Sequence, residues 1–230
     1  MKKLSVLVIA VSAALASLTA AAEGFSGPYL GIYGGKAFTT DDGKEFDGDT
    51  FDGYRQETNP DQLQYGLLAG YNWDIGNNVV LGLEADYEGR DNQDDSDYQD
   101  YLGVTDTDYE ASTRIKAGGS FRGRAGYVFN NPYYVKNQTM LYVTAGYATV
   151  EAERKYKDFN SNESTSTTDW QEGWTAGAGV EYLIDANFAA RLEYRHSDYG
   201  TENVNENPWD LKEKQSLSED SVRLGASYQF

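Results

Sequence analysis

The chain ends on Ser221-Val222-Arg223-Leu224-Gly225-Ala226-Ser227-Tyr228-Gln229-Phe230, and these residues alternate without interruption. Val222, Leu224, Ala226, Tyr228 and Phe230 fall on one side of an extended strand, and Arg223, Gly225, Ser227 and Gln229 on the other. Successive side chains in a strand point to opposite faces, so the segment has one apolar and one polar wall. The same texture recurs upstream at about 62–75, 79–90, 113–129, 139–150, 170–184 and 188–198, and less clearly at 28–38. In the segment 79–90, Val79, Leu81, Leu83, Ala85 and Tyr87 oppose Gly82, Glu84, Asp86, Glu88 and Arg90. Repeated alternation of this kind predicts strands with two different environments. In the least regular segment Leu30, Ile32, Lys36 and Phe38 share a face, and Lys36 is expected to turn to the polar side.

The whole chain has 230 residues, 19 bases, 37 acids and no Cys. That length suits one domain. A mean hydropathy of −0.65 invites the reading of a soluble acidic protein. Transmembrane β-barrels, however, carry their apolar residues as a weak alternating signal and not as a long run. The first 22 residues form a separate unit: a basic start at Lys2-Lys3, an apolar stretch from Leu4 to Leu18, and an A-x-A site at Ala20-Ala21-Ala22. This is the pattern of a cleaved signal peptide, too short for a membrane anchor. Loss of Lys2 and Lys3 with the leader leaves 17 bases against 37 acids in 23–230, a net of −20.

The charge is unevenly placed. Four long segments, about 39–61, 91–112, 151–169 and 199–217, are rich in Asp, Asn, Ser, Thr and Gly and are expected as extracellular loops. These segments and their borders hold 27 acids and 7 bases, and the remainder of 23–230 holds 10 of each. The connections at 76–78 and 185–187 are short. Short periplasmic turns alternating with long outer loops characterise outer-membrane barrels, and an even strand count puts both termini in the periplasm. The expected fold is all-β: an eight-stranded antiparallel transmembrane up-and-down β-barrel over 23–230, preceded by the leader at 1–22. Eight-stranded barrels have interiors filled by side chains. Buried charges must be compensated. Glu84, Asp86, Glu88, Lys116, Arg122, Arg124, Glu181, Arg191, Glu193, Arg195 and Arg223 are therefore expected inward as a paired network, either a structural plug or a pore lining.

Aromatic residues fall at two heights, with Tyr71, Trp73, Tyr127, Phe129, Tyr182, Phe188, Tyr228 and Phe230 at one end and Tyr65, Tyr87, Tyr147, Trp174 and Tyr194 at the other. A soluble sandwich core has no need of two bands, whereas a membrane has two interfaces. At this level the chain resembles the small outer-membrane barrels of the OmpA-like and opacity-like "porin family" group. The resemblance rests on Gly27-Pro28-Tyr29-Leu30-Gly31-Ile32-Tyr33-Gly34-Gly35, on Leu192-Glu193-Tyr194-Arg195-His196-Ser197-Asp198-Tyr199-Gly200 and on the closing strand. It implies an envelope structural protein, surface antigen or adhesin, with Tyr228 and Phe230 as the terminal signal read by the barrel-assembly machinery. OmpA proper has a periplasmic peptidoglycan-binding domain. No such domain is expected here, because the sequence stops at the last strand.

Signals for chemistry are sparse. The single His, His196, is followed directly by Ser197, so in a strand the two face opposite sides and cannot form a nucleophile–base pair. Asp94-Asp95-Ser96-Asp97 and Asp47-Gly48-Asp49 are oxygen-rich but lack EF-hand spacing. With no Cys and one His a zinc site is not expected, and neither is any cofactor or catalytic residue. The acidic balance argues against nucleic acid. The expected partners are outer-membrane lipids and lipopolysaccharide, bridged by divalent cations if the acidic loops take part, together with the assembly machinery and host or envelope surface ligands. The favoured function is a structural and surface-interaction role. A narrow passive porin is the alternative, and a lipid-modifying enzyme is a distant third.

Overall fold

The computed structural model describes residues 24–47, 50–130, 138–204 and 212–230. The leader with Ala20 and Ala22, part of Asp47-Gly48-Asp49, and the connections 131–137 and 205–211 lie outside the described residues. The described residues form ten strands: β1 Gly27–Asp47, β2 Thr50–Thr58, β3 Asp61–Asp74, β4 Val79–Arg90, β5 Asp95–Tyr101, β6 Val104–Asn130, β7 Gln138–Asp158, β8 Glu163–Leu183, β9 Phe188–Val204 and β10 Lys212–Gln229. All pair antiparallel, and β10 returns to β1. The lower ring runs β1, β3, β4, β6, β7, β8, β9, β10 and back, which makes eight strands.

Above that ring β2 takes the place of β3, and β5 takes the place of β4. β1 pairs with β2, β2 touches β5 at Tyr54↔Tyr101, and β5 pairs with β6. The chain thus builds one tall barrel in which β2–β3 and β4–β5 are each a strand with a break, at 59–60 and 91–94. At the break Gln62 acts as a stitch: its Nε2 donates to the carbonyls of Asp91 (2.9 Å) and Ile115 (3.0 Å), and its Oε1 accepts from the Ile115 N–H (3.2 Å).

The four acidic segments expected as loops are strand for most of their length. A membrane strand needs only about 9–11 residues, and β1, β7 and β8 each have 21. The excess forms a turret at the end away from the termini. At the termini end, β3–β4 and β8–β9 are joined by short turns. Asn77 and Asn78 adopt φ of 55° and 64° between β3 and β4, a conformation Asn tolerates better than most residues. Asp185 caps the β8–β9 turn by accepting from the N–H groups of Asn187 and Phe188, both at 2.8 Å. The final Phe230 N–H donates to the Pro28 carbonyl at 3.0 Å, sealing the last strand to the first.

Burial is inverted relative to a soluble protein. Leu67 is 64% exposed and Leu224 66%, while Glu84, Glu88 and Glu181 are each 1% exposed or less. The outward apolar wall is flanked by the two aromatic bands. On β8 Tyr182 and Trp174 lie eight residues apart, a strand length of about 26 Å before tilt, which matches an apolar belt about 25 Å tall. Lys36 departs from expectation. It shares the outward face with Ile32 and Phe38, pairs with Asp61 at 2.9 Å and lies 4.8 Å from the Phe38 ring centroid. It can do so because it sits beyond Tyr65, where the wall leaves the lipid.

Candidate functional site

The lumen of the lower ring holds six carboxylates and six guanidinium groups among the described residues, all at most 5% exposed. The acids are Glu84, Asp86, Glu88, Glu181, Glu193 and Glu219, and the bases are Arg90, Arg122, Arg124, Arg191, Arg195 and Arg223. Glu84 accepts from Arg122 (2.5 Å), Arg191 (2.7 Å) and the Tyr29 hydroxyl (2.8 Å). Asp86 faces Arg122 (3.1 Å), Arg195 (3.4 Å), Tyr33 (3.2 Å) and Ser120. Glu88 takes Arg90, Arg195 (3.3 Å), Arg223 (2.5 Å) and Tyr33 (3.0 Å). Glu193 bridges Arg122 (2.7 Å) and Arg191 (3.2 Å) and accepts from Tyr142 (2.9 Å). Glu181 meets Arg124 and Ser227, and Glu219 meets Arg90 at 2.9 Å.

Every base in this set is Arg. A guanidinium presents five donors in a rigid fork and can serve several carboxylates at once, which a lysine ammonium does less well. Equal numbers of opposite charges remove the need for any unpaired buried ion.

Ten of the eleven residues expected inward meet here. Lys116 does not. A β-bulge between Ile115 and Ala117 gives β6 an extra residue there. Below it Gly118, Ser120, Arg122 and Arg124 point inward; above it Ile115, Thr113 and Ala111 do. Lys116 and Arg114 are thereby turned outward, onto Glu153 at 3.0 and 2.5 Å. Strict alternation carried through residue 116 puts both on the wrong wall, because a bulge shifts the phase by one. Arg90 continues the alternation of Glu84, Asp86 and Glu88 and was legible as part of the set. The hydroxyls of Tyr29, Tyr33 and Tyr142 were not, since tyrosine suits either wall of a barrel.

Two apolar layers close the charged layer. Phe25, Val80, Val128, Met140, Leu183 and Ala189 pack at the termini end. Ile115, Ala148, Val150, Ala152, Tyr199 and Leu217 pack beneath the turret. The cavity beside Arg122, Arg191 and Arg223 has a volume of about 10 Å³, room for about one water molecule.

The turret has a second, unbalanced polar interior. Asp41 is held by Arg154 (2.8 and 3.0 Å) and Thr113 (2.9 Å). Glu213 accepts from Gln56 and Gln215, both at 2.6 Å. Burial, opposed by the Tyr156 hydrogen bond and reinforced by Asp41, pushes the Glu213 carboxyl up to about 7. Burial, with Asp52 and Glu213 nearby, pushes Glu45 up to about 8. A carboxyl whose folded pKa is raised binds its proton more tightly folded than unfolded, so the fold loses stability as pH rises from the ordinary value near 4.5 through the folded one. Hydrogen exchange in the turret, corrected for the intrinsic rate, is therefore expected to be faster at pH 8.5 than at pH 5, with the lower ring unchanged. Glu213→Gln is expected to remove part of that dependence and Glu45→Gln/Glu213→Gln most of it, and an unaltered pH profile in the double variant would refute the assignment.

Elsewhere the candidate groups separate. Ser197 points inward and donates to the Thr175 hydroxyl at 2.9 Å, while His196 lies outward, 2.9 Å from Asp220 and with its ring 5.5 Å from that of Trp174. Asp95 accepts from the Asn59 N–H (2.8 Å), spending its oxygen on the strand break.

A closed antiparallel ring with a polar filling and an apolar outer belt defines an integral membrane β-barrel. Residues 7–230 match the model of the outer membrane protein beta-barrel domain, and the chain belongs to that family, whose members reside in the outer membrane. It is 31% identical over 167 residues to the 31 kDa outer-membrane immunogenic protein of Brucella melitensis, covering 72% of this chain and 65% of that one. It is 32% identical over 167 residues to the 22 kDa outer membrane protein of Rhizobium leguminosarum, covering 71% and 64%. It is 29% identical over 213 residues to the 25 kDa outer-membrane immunogenic protein of Brucella abortus, covering 91% and 79%. The chain thus spans just under two thirds of the length of the first two relatives. Among solved structures, the outer membrane protein OprG of Pseudomonas aeruginosa superposes with a TM-score of 0.51 at 14% identity, over 90% of this chain and 98% of that one, a likeness of fold alone.

Proposed function

We propose that this protein is a non-conducting structural element of the Gram-negative outer membrane that presents a turret for surface interactions, with both termini in the periplasm. The observation that carries the reading is the charge-neutral lumen packed between two apolar layers. A porin needs a continuous water path, and eight strands enclose an interior just wide enough for side chains to fill. Against the enzyme reading stand the opposite orientations of His196 and Ser197. Tyr228 and Phe230, edge to face at 5.0 Å at the end of the sealed last strand, are the residues we assign to recognition by the assembly machinery.

The turret suits contact with other surfaces. Its rim exposes Tyr101 (43%), Leu102 (72%) and Val104 (70%) far from any lipid, and exposed apolar groups in such a place mark interaction sites. The related Brucella proteins are named as immunogenic, which agrees with exposure at the cell surface.

Conductance of the refolded protein in a planar bilayer tests the lumen. The expected record is silent with insertion verified separately. Steady openings whose ion selectivity changes on Glu84→Arg or Arg122→Glu would establish a wetted pore and refute this reading.

A further inference from the structure

The outer wall carries no charge between its aromatic bands, and the first charges above the upper band are mostly acidic. Lys36 on β1 is matched by Asp61, whereas on β6 the first two outward charges, Lys116 and Arg114, are both cations. Arg114, Lys116 and Lys155 surround the single carboxylate of Glu153 at 2.5, 3.0 and 3.9 Å. Three cations against Glu153 and the neighbouring outward Glu151 leave a local excess of one positive charge in a chain whose net charge is −18. Their side chains are 25%, 33% and 45% exposed, so the excess is open to the outside.

Two features place this excess deliberately. The bulge at Ile115/Ala117 turns Arg114 and Lys116 out of the barrel; an unbroken strand would have sent them inward. The height is also specific. Tyr87, in the upper aromatic band, pairs with Gly119, and Lys116 lies three residues before Gly119 on β6, toward the turret. Trp170, 48% exposed, pairs with Glu151 on the neighbouring rung. Aromatic rings of this band sit at the headgroup level, so Lys116 and Arg114 stand just above it, and Lys155, from higher on β7, joins them at Glu153.

We propose that Arg114, Lys116 and Lys155 form a binding site for the phosphate groups of a phosphorylated lipid in the outer leaflet. Glu153 gathers the three cationic groups on the outer wall, and the Lys116 ammonium is further tied to Thr168 at 3.4 Å. An incoming phosphate accepts hydrogen bonds from the guanidinium and the two ammonium groups without displacing the carboxylate; charge-assisted pairs of this kind are the strong ones. The site rests on the reading that the turret end faces outward.

The test uses refolded protein in phosphatidylcholine vesicles doped with bisphosphorylated lipid A, with dephosphorylated lipid A as the comparison. Wild type is expected to retain the phosphorylated form selectively, in EDTA as well as in magnesium. Arg114→Gln/Lys116→Gln/Lys155→Gln is expected to lose it by on the order of 100-fold, roughly five-fold per cation at an anionic surface. The conservative variant Arg114→Lys/Lys116→Arg/Lys155→Arg should keep it, which separates lost charge from lost fold. Lys44→Gln/Arg55→Gln/Lys214→Gln, which removes as many cations elsewhere on the turret, should leave binding in place. Equal losses in both neutralised variants would mean bulk charge and overturn the site. Retention in the first variant, or binding that vanishes in EDTA, would overturn it too, the latter in favour of metal bridges from the acidic strands. A silent lumen in the conductance experiment stands or falls separately from any of these outcomes.

Discussion

Replacing Arg122 with Gln is expected to destabilise the barrel by about 3–5 kcal/mol, the usual cost of stripping one partner from a buried ion pair. Arg122 is the hub of the lumen: its guanidinium touches Glu84, Asp86 and Glu193, contributed by β4 and β9. The amide left behind can donate to one of these carboxylates but cannot balance three. The decisive comparison is the double variant Arg122→Gln/Glu193→Gln. It removes more ionic contacts than the single variant yet restores charge parity, so it should cost less than Arg122→Gln alone. Contacting residues of one network are non-additive in this way. Urea unfolding of the micelle-embedded protein measures both. A single-variant loss under about 1 kcal/mol, or a double variant worse than the single, would show that parity is not what holds the lumen together.

Gly179→Val is expected to be the next most damaging change, at about 1–3 kcal/mol for overpacking and more if the ring is expelled. Tyr142 on β7 crosses the backbone of its neighbour, and a Cβ at residue 179 would stand 2.5 Å from the Tyr142 hydroxyl oxygen and 2.6 Å from the Leu192 carbonyl. Glycine in a strand often marks such a close approach. The ring cannot move freely, because the guanidinium of Arg124 stacks 3.9 Å from its centroid and its hydroxyl donates to Glu193. Val at this site therefore disturbs both the apolar layer and the charge network. Tyr142→Leu in the Gly179→Val background relieves the clash and should recover part of the loss. No recovery would point to the Leu192 backbone as the true obstacle.

The sequence by itself determined which wall of each membrane strand meets lipid, because that information is local: a side-chain period of two read against apolarity. It also determined the near balance of charge in the membrane part, since a lumen without water cannot hold an excess. Tertiary structure decided three things that local reading could not reach. The first is the height of the barrel. Above the membrane both walls of a strand meet polar surroundings, so the alternation fades while backbone pairing continues, and stretches such as Glu163–Thr168 read as loop although they form ladder with β7. The second is the phase shift at Lys116, where one extra residue reverses inside and outside and moves Lys116 from the expected plug to the outer wall, beside Arg114. The third is the partnership of each buried charge. Arg122 and Glu193 are 71 residues apart, and Glu88 and Arg223 are 135 apart. Their meeting depends on strand registers set around the whole ring, which no single segment encodes.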